Sequence, residues 1–288
     1  MNDIIALVTV YFPEEEHVRN IKIISSQVDA VIVIDNSNKD NRKLFDVIGT
    51  NIEYVSLKKN RGLSSAFNSV LSDTMYNWHE DDYIVFFDQD SVINENHISG
   101  LIGIFRKLTM NGIDIGCLGP SYFNTSNQKK EIPKLKREIM EGCYLVNDII
   151  TSSMLCQYST LKKIGFWNED IFLDAADWDL CWRIKKIGKV CCITNKIPFI
   201  HSVGIGEKKF FGIALRNSKD IRSYYRTRDF LYLIGKKYTP FRLKIRMILD
   251  VTILNILRVI ALDNHRERFY YILRGYKDYF LKVKGEFI

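Results

Sequence analysis

The sequence predicts an α/β fold, a Rossmann-like and mostly parallel central sheet followed by a C-terminal helical extension. Three observations predict it. Apolar runs of strand length at 4–12, 30–34 and 83–87 show no polar alternation, as in strands covered on both faces. Segments with helical spacing stand between them, so successive strands are joined by right-handed crossovers. Towards the end the strand pattern gives way to aliphatic, aromatic and basic residues that read as helices. The expected division is an α/β domain over 1–235 and a helical, basic extension over 236–288.

The first strand, 4–12, is stopped by Pro13. Residues 14–27 follow as a helix with Val18, Ile21 and Ile24 on one side and acids in its first turn. A second strand, 30–34, ends at Asp35-Asn-Ser-Asn38, and 51–57 is a third. The spacing of Leu63, Ala66, Phe67, Val70 and Leu71 predicts a helix over 62–78. The run 83–87 then leads straight into Asp88-Gln89-Asp90, and a helix is expected over 94–110. Residues 121–137 are polar and lysine-rich, an exposed loop. A short strand and a helix are expected within 149–165, a turn at 166–170, a helix over 175–186, and a strand over 189–194 ending near His201.

Composition excludes wholesale disorder, with 47% apolar and 26% charged residues. The N-terminus lacks a basic region, and 4–12 is too short for a signal peptide's apolar segment plus cleavage site, so no cleavable signal is expected. The six cysteines show no Cys-x-x-Cys spacing and read as small core residues in a reducing cytosol. The net charge of +7 is uneven: from residue 206 onward 19 Lys and Arg face 8 Asp and Glu, a net +11, which leaves −4 for the rest. That asymmetry points to an anionic membrane surface as partner, and not to nucleic acid. Residues 241–262 are aliphatic but interrupted by Asp250, Asn255 and Arg258, a poor transmembrane span. Helices of this make-up lie on anionic bilayers. A helical hairpin packed on the core or on a second subunit, in a homodimer, explains the same residues.

Asp88 and Asp90 share one face of an extended chain, at the carboxyl edge where open α/β sheets bind ligands. Paired hard oxygens there suit Mg²⁺ or Mn²⁺ bridging to a phosphate. Asp35, also at a strand end, is placed to accept from the N3–H of a pyrimidine base flanked by Thr9 and Tyr11. An Asx turn explains Asp-Asn-Ser-Asn equally well. Asn60-Arg61-Gly62 opens a helix whose N-terminus favours an anion, although an ordinary N-cap at Asn60 is the simpler account of that tripeptide alone. Asp174, Asp177 and Asp179 stand among apolar and aromatic residues, where a carboxyl gains a raised pKa and serves as a general base. Acids complementing a helix dipole explain one of them but account poorly for three. His201 follows an apolar run, either a structural histidine or an imidazole for a metal held by Asp90.

Taken in order, Thr9-Val-Tyr11, Asp35-Asn-Ser37, Asn60-x-Gly62 and Asp88-x-Asp90 resemble the GT-A-fold glycosyltransferases of family 2. Phe172-Leu-Asp-Ala-Ala-Asp177-Trp-Asp-Leu-Cys-Trp-Arg183, His201-Ser-Val-Gly204 and Tyr224-Tyr-Arg-Thr-Arg-Asp229 resemble its rhamnosyltransferase branch, and the likeness runs over roughly 4–235. The resemblance implies an inverting, metal-dependent transfer of rhamnose from dTDP-rhamnose to a lipid-linked saccharide at the cytoplasmic membrane face, in surface polysaccharide assembly. It assigns Asp35 and the Thr9–Tyr11 backbone to the base, and Asn60 and Gly62 to the nucleotide-sugar. Asp90 and His201 go to the Mn²⁺ or Mg²⁺ ion, Asp88 to ribose or metal, and Asp177 to the general base. Arg226 and Arg228 are assigned to the leaving diphosphate. Ala176 stands where the branch has Val, Asp179 where it has Glu, and Asp229 where it has Asn, which leaves the role of that last segment open. A UDP-sugar-dependent galactofuranosyl or hexosyl transferase is the nearest rival. A sugar-nucleotide nucleotidyltransferase usually has a glycine-rich basic signature after its first strand, where this chain has Pro13-Glu-Glu-Glu16. An inactive membrane-surface scaffold would not need Asp90, Asp177 and His201 together.

Overall fold

The computed structural model describes residues 2–45, 49–124, 129–131, 137–197, 199–201, 207–210, 212–216 and 218–287. The chain opens with β1 (Ile4–Val10), α1 (Glu15–Ser25), β2 (Ala30–Asp35), β3 (Ile52–Ser56), α2 (Leu63–Leu71), β4 (Tyr83–Asp88), α3 (His97–Met110) and β5 (Ile115–Pro120). The middle holds β6 (Tyr122–Asn124), β7 (Lys129–Glu131), β8 (Arg137–Met140), β9 (Cys143–Leu145), β10 (Met154–Gln157), α4 (Tyr158–Ile164), α5 (Ala176–Lys186) and β11 (Val190–Thr194). Then come β12 (Ile200–His201), β13 (Glu207–Phe210), β14 (Ile213–Arg216), α6 (Arg222–Gly235), α7 (Phe241–Leu249), a π-helical turn Asp250–Leu254, α8 (Asn255–Ala261) and α9 (His265–Phe280).

Nine strands form the central sheet in the order β3-β2-β1-β4-β10-β5-β11-β9-β8. Only β10 and β9 run against the rest, so the sheet is mostly parallel. The period-two pleat sends Leu7, Ile34 and Phe86 to one face, and Val8, Val33 and Phe87 to the other. The first face is covered by α2, α4, α5 and α6, the second by α1 and α3. Both faces are buried, which is why these strands carry no polar alternation.

Three boundaries differ from expectation, each for a local reason. β1 stops at Val10 because Phe12 takes a left-handed φ of 49°; its N–H donates to Ser37 Oγ at 2.7 Å. α2 ends at Leu71, short of the expected residue 78. Asp73 accepts the Met75 N–H at 2.9 Å, an Asx turn that competes with the helix. α3 begins at His97, after a left-handed Asn96. The loop expected over 121–137 contains β6 and β7, and its residues 125–128 and 132–136 lie outside the described part.

Residue 235 ends α6, yet Met247 and Val251 join the same core as Phe230 and Leu233, and α9 lies along α6. The C-terminal helices therefore pack directly on the sheet domain. One face of α7 and α8 stays outside: Phe241, Ile245, Ile248, Ile253, Ile256 and Ile260 are exposed. No described helix is long and apolar enough to cross a membrane.

Candidate active site

The carboxyl ends of β1 and β4 and the start of α2 border a cleft of about 530 Å³. Of the residues singled out from the sequence, Thr9, Tyr11, Asn60, Gly62 and Asp88 line it together. Three hydrogen bonds to side-chain oxygens join its borders. Tyr11 N–H donates to Gln89 Oε1 at 2.7 Å, joining the two strand ends, and Asn60 Oδ1 accepts from Asn36 Nδ2 and from the Gly62 N–H, both at 3.0 Å. Gly62 is required here. Its φ is 78°, and a Cβ would lie 2.6 Å from the Phe172 carbonyl oxygen. That close approach lets the Leu63 N–H donate to the same carbonyl at 2.8 Å. The first turn of α2 is thereby docked on the loop that leads into α5.

Asp88 closes β4 half-buried, and Asp90 is exposed in the turn that follows. A β-bridge between Val92 and Ile200 brings the backbone of β12, which ends in His201, beside this turn. Two carboxylates and an imidazole are a donor set that fits a hard or borderline divalent ion. The His201 side chain lies outside the described part. Among the described residues the tightest group of ligand atoms is a different one, the thiols of Cys117, Cys181 and Cys191. All three are buried in the core, and burial pushes the Cys117 thiol far up, so they pack as neutral side chains.

The three acids of the α5 segment have three separate fates. Ala175 is left-handed at 65° and α5 starts after it, so Asp174 precedes the helix and does not share a face with Asp177. Asp174 takes Arg222 through Nε and Nη2 at 3.0 and 2.7 Å. Burial pushes its carboxyl up, but the Arg222 guanidinium outweighs this and holds it below the ordinary range. Asp179 is fully buried and accepts from Arg183 Nε at 2.6 Å, Tyr238 OH at 2.5 Å and Asn168 Nδ2 at 3.1 Å, a structural knot. Asp177 has no ion pair among the described residues. Its residue keeps some surface, but the carboxylate is surrounded densely enough that burial pushes it up to about 7. The charges of Asp148, Asp88 and Asp174 add to the rise, and the Trp178 N–H opposes it.

Three expectations need correction, and one role left open is filled. Asp35 has no exposed surface and does not line the cleft. Its Oδ1 accepts the Ser37 N–H at 2.9 Å, the Asx turn, and Oδ2 accepts from Asn41 Nδ2 at 2.8 Å and Tyr54 OH at 2.5 Å. Arg226 is turned away from the cleft. It forks onto Asp250 at 2.9 and 2.8 Å, and Arg258 grips the same carboxylate from the other side at 2.8 and 2.9 Å. Arg228 is only 1% exposed and does not line the cleft; it lies 5.0 Å from the Tyr224 ring centre and 5.4 Å from the Tyr225 ring centre. Asp229 has a role after all: its Oδ2 accepts three successive N–H groups, from Phe172, Leu173 and Asp174, at 3.1, 3.0 and 3.3 Å. Among the described residues, the cations that do line the cleft are Lys219 and Arg222, together with an unforeseen acid, Glu286. No motif marked them, because they come from the segment leading into α6, from the first residue of α6 and from the residues after α9.

The model of the glycosyl transferase family 2 matches residues 8–165, more than half of the chain. A curated relative, the dTDP-rhamnosyl transferase RfbF of Shigella flexneri, is 26% identical over 258 residues, covering 85% of this chain and 84% of that protein. Among solved structures, S. aureus TarS aligns over 98% of this chain with a TM-score of 0.59 at 13% identity. GalNAc-T7, crystallised with UDP, GalNAc and Mn²⁺, aligns over 88% with a TM-score of 0.55 at 12% identity. The chain spans 49% and 57% of those two, and at such identities they speak for the fold alone. With its GT-A architecture and a family match across the strands that build the cleft, the chain belongs to glycosyl transferase family 2 and is a glycosyltransferase.

Proposed function

We propose that the protein transfers rhamnose from dTDP-rhamnose, with inversion, to a hydroxyl of a lipid-linked saccharide during assembly of a bacterial surface polysaccharide. The observation that carries the chemistry is Asp177, a carboxylate with no ion pair among the described residues, raised to about 7 and within electrostatic reach of Asp88 in the cleft. The donor is suggested by the relative of 26% identity, itself named a dTDP-rhamnosyl transferase.

In this reading the acceptor hydroxyl gives its proton to Asp177 as its oxygen attacks the anomeric carbon. The bond from that carbon to the diphosphate oxygen breaks, and its electron pair leaves with dTDP. Attack from the side opposite the diphosphate inverts the centre in one displacement. Thr9, Tyr11, Asn36 and Asn60 border the nucleotide, while Lys219 and Arg222 offset charge on the leaving group. Asp88, Asp90 and His201 would hold a Mn²⁺ or Mg²⁺ ion, which when bound supplies neutralisation of the diphosphate. Work on a lipid-linked acceptor would bring the protein to the inner face of the plasma membrane. The exposed aliphatic face of α7 and α8, beside Arg242, Lys244 and Arg246, suits an anionic bilayer there, with a homodimer through that face as the competing outcome.

Titration calorimetry with dTDP and UDP, with and without Mn²⁺, tests the reading. Expected are tighter binding of dTDP than of UDP, a requirement for the ion, and loss of that requirement's benefit in Asp90→Ala. Preference for UDP would replace the donor with a UDP-sugar, and equal binding in EDTA would remove the ion.

A further inference from the structure

The segment 283–287, which follows α9, is anchored at nearly every residue. Tyr232 OH donates to the Val283 carbonyl at 3.4 Å, and Lys284 Nζ meets Asp170 at 2.5 Å. Arg228 Nη1 donates to the Gly285 carbonyl at 2.8 Å, and the Phe287 N–H donates to Tyr225 OH at 3.0 Å. The Phe287 ring packs edge-on against Tyr224 and Tyr271, with centroids 4.8 and 5.3 Å away. Gly285 has a φ of 83°, a turn that favours glycine. Between these anchors stands Glu286, exposed, lining the cleft beside Tyr225, Arg222 and Lys219.

The anchors explain what Arg228 and the tyrosines of α6 do: they hold this segment at the mouth of the cleft. A carboxylate held there is repelled by a diphosphate and is not itself a phosphate contact. It is an acceptor-only group, and a charged acceptor makes its strongest hydrogen bonds with hydroxyl donors. We propose that Glu286 is a sugar-recognition residue of the active site, accepting hydrogen bonds from the hydroxyls of a pyranose ring. The inference rests on the glycosyl-transfer reading but not on the identity of the nucleotide. The ring belongs either to the transferred sugar or to the acceptor, and the two leave different kinetic traces.

The test compares wild type with Glu286→Ala, Glu286→Gln and Phe287→Ala, on whichever of dTDP-rhamnose or a UDP-hexose the wild type transfers to a bacterial lipid extract. Glu286→Ala should lower kcat/KM for transfer about 10- to 100-fold, the weight of a hydrogen bond to a charged group. Nucleotide affinity by calorimetry and the melting temperature should stay close to wild type. Glu286→Gln, which keeps one acceptor oxygen, should recover part of the loss. Phe287→Ala keeps the Glu286 carboxylate but removes a ring that holds its segment at the cleft, and should reproduce the defect. A rise in KM for the nucleotide-sugar assigns the ring to the donor; a rise for the lipid assigns it to the acceptor. Transfer by Glu286→Ala within twofold of wild type overturns the proposal, as does an equal loss of nucleotide affinity. A wild type that binds neither nucleotide contradicts the enzyme reading itself, and with it the proposal.

Discussion

The end of β4 and the face between α6 and α8 are both rich in charge and use it in opposite ways. Asp88 and Asp90 sit at a strand end, half-buried and exposed, where a ligand can reach them. Asp250, Arg226 and Arg258 turn inward and saturate one another, both carboxylate oxygens being shared by two guanidinium forks. The first arrangement keeps binding capacity at little cost to the fold. The second has no capacity left and must be intact for the helices to pack. The difference teaches that a charged motif signals chemistry only where a ligand can still reach it.

Asp177 is where the contrast is sharpest, and Asp177→Asn should have the largest effect. On the proposed role of general base, its removal should lower kcat about 10²- to 10⁴-fold while dTDP affinity barely changes. Since the base acts when ionised, wild-type activity should rise with pH through about 7. The folded protein holds a proton there that the unfolded chain releases near an ordinary carboxylate value of about 3.9, so this carboxyl costs stability increasingly from that pH up to about 7. Asp177→Asn should therefore melt above wild type at pH 8, with the gap narrowing towards pH 5. A gap that widens on acidification would show that the carboxylate is stabilised, and the base assignment would fall.

Next in size is Asp250→Ala, which strands two arginines that are mostly buried. Breaking such a pair costs about 3–5 kcal/mol. Asp90→Ala, at the exposed turn, should stay within about 0.5 kcal/mol of wild type. Urea unfolding of the two variants side by side measures the contrast directly, and similar losses in both would erase it. The smallest effect concerns the outer face of α7 and α8. Attraction to an anionic leaflet is worth ~1 kcal/mol per basic residue and is screened by salt. Co-sedimentation should favour anionic over neutral vesicles and weaken in high salt. A concentration-dependent dimer with no lipid preference would assign the face to a second copy instead.

The sheet and the cleft were legible because their signals are local. A buried strand announces itself as an unbroken apolar run, and its carboxyl end is where Asp88, Thr9 and Tyr11 had to be. The antiparallel insertion of β10 between β4 and β5 was not legible, since a four-residue strand carries no mark of its direction. Nor was the burial of Asp35, which depends on Tyr54 and Asn41 arriving from elsewhere in the chain. Arg226 and Arg228 were misread for the same reason. Their partners, Asp250 and Gly285, lie 24 and 57 residues away.

The loop 172–174 is held by its main chain, by the buried Phe172 ring stacked on Tyr225 and by the Asp174 carboxylate on Arg222, while the Leu173 side chain takes no part. Three of its N–H groups converge on Asp229, and the Phe172 carbonyl accepts from Leu63. A loop fastened on either side of one residue is indifferent to the side chain that stands there. Leu173 is 38% exposed and faces the cleft, so evolution can rewrite that side chain while the path leading to Asp177 stays put. Position 173 is thus a natural place for members of one lineage to diverge in which sugars they accept. A substitution series there should shift substrate preference while melting temperatures hold, and a series in which every member unfolds would show that the side chain bears weight after all.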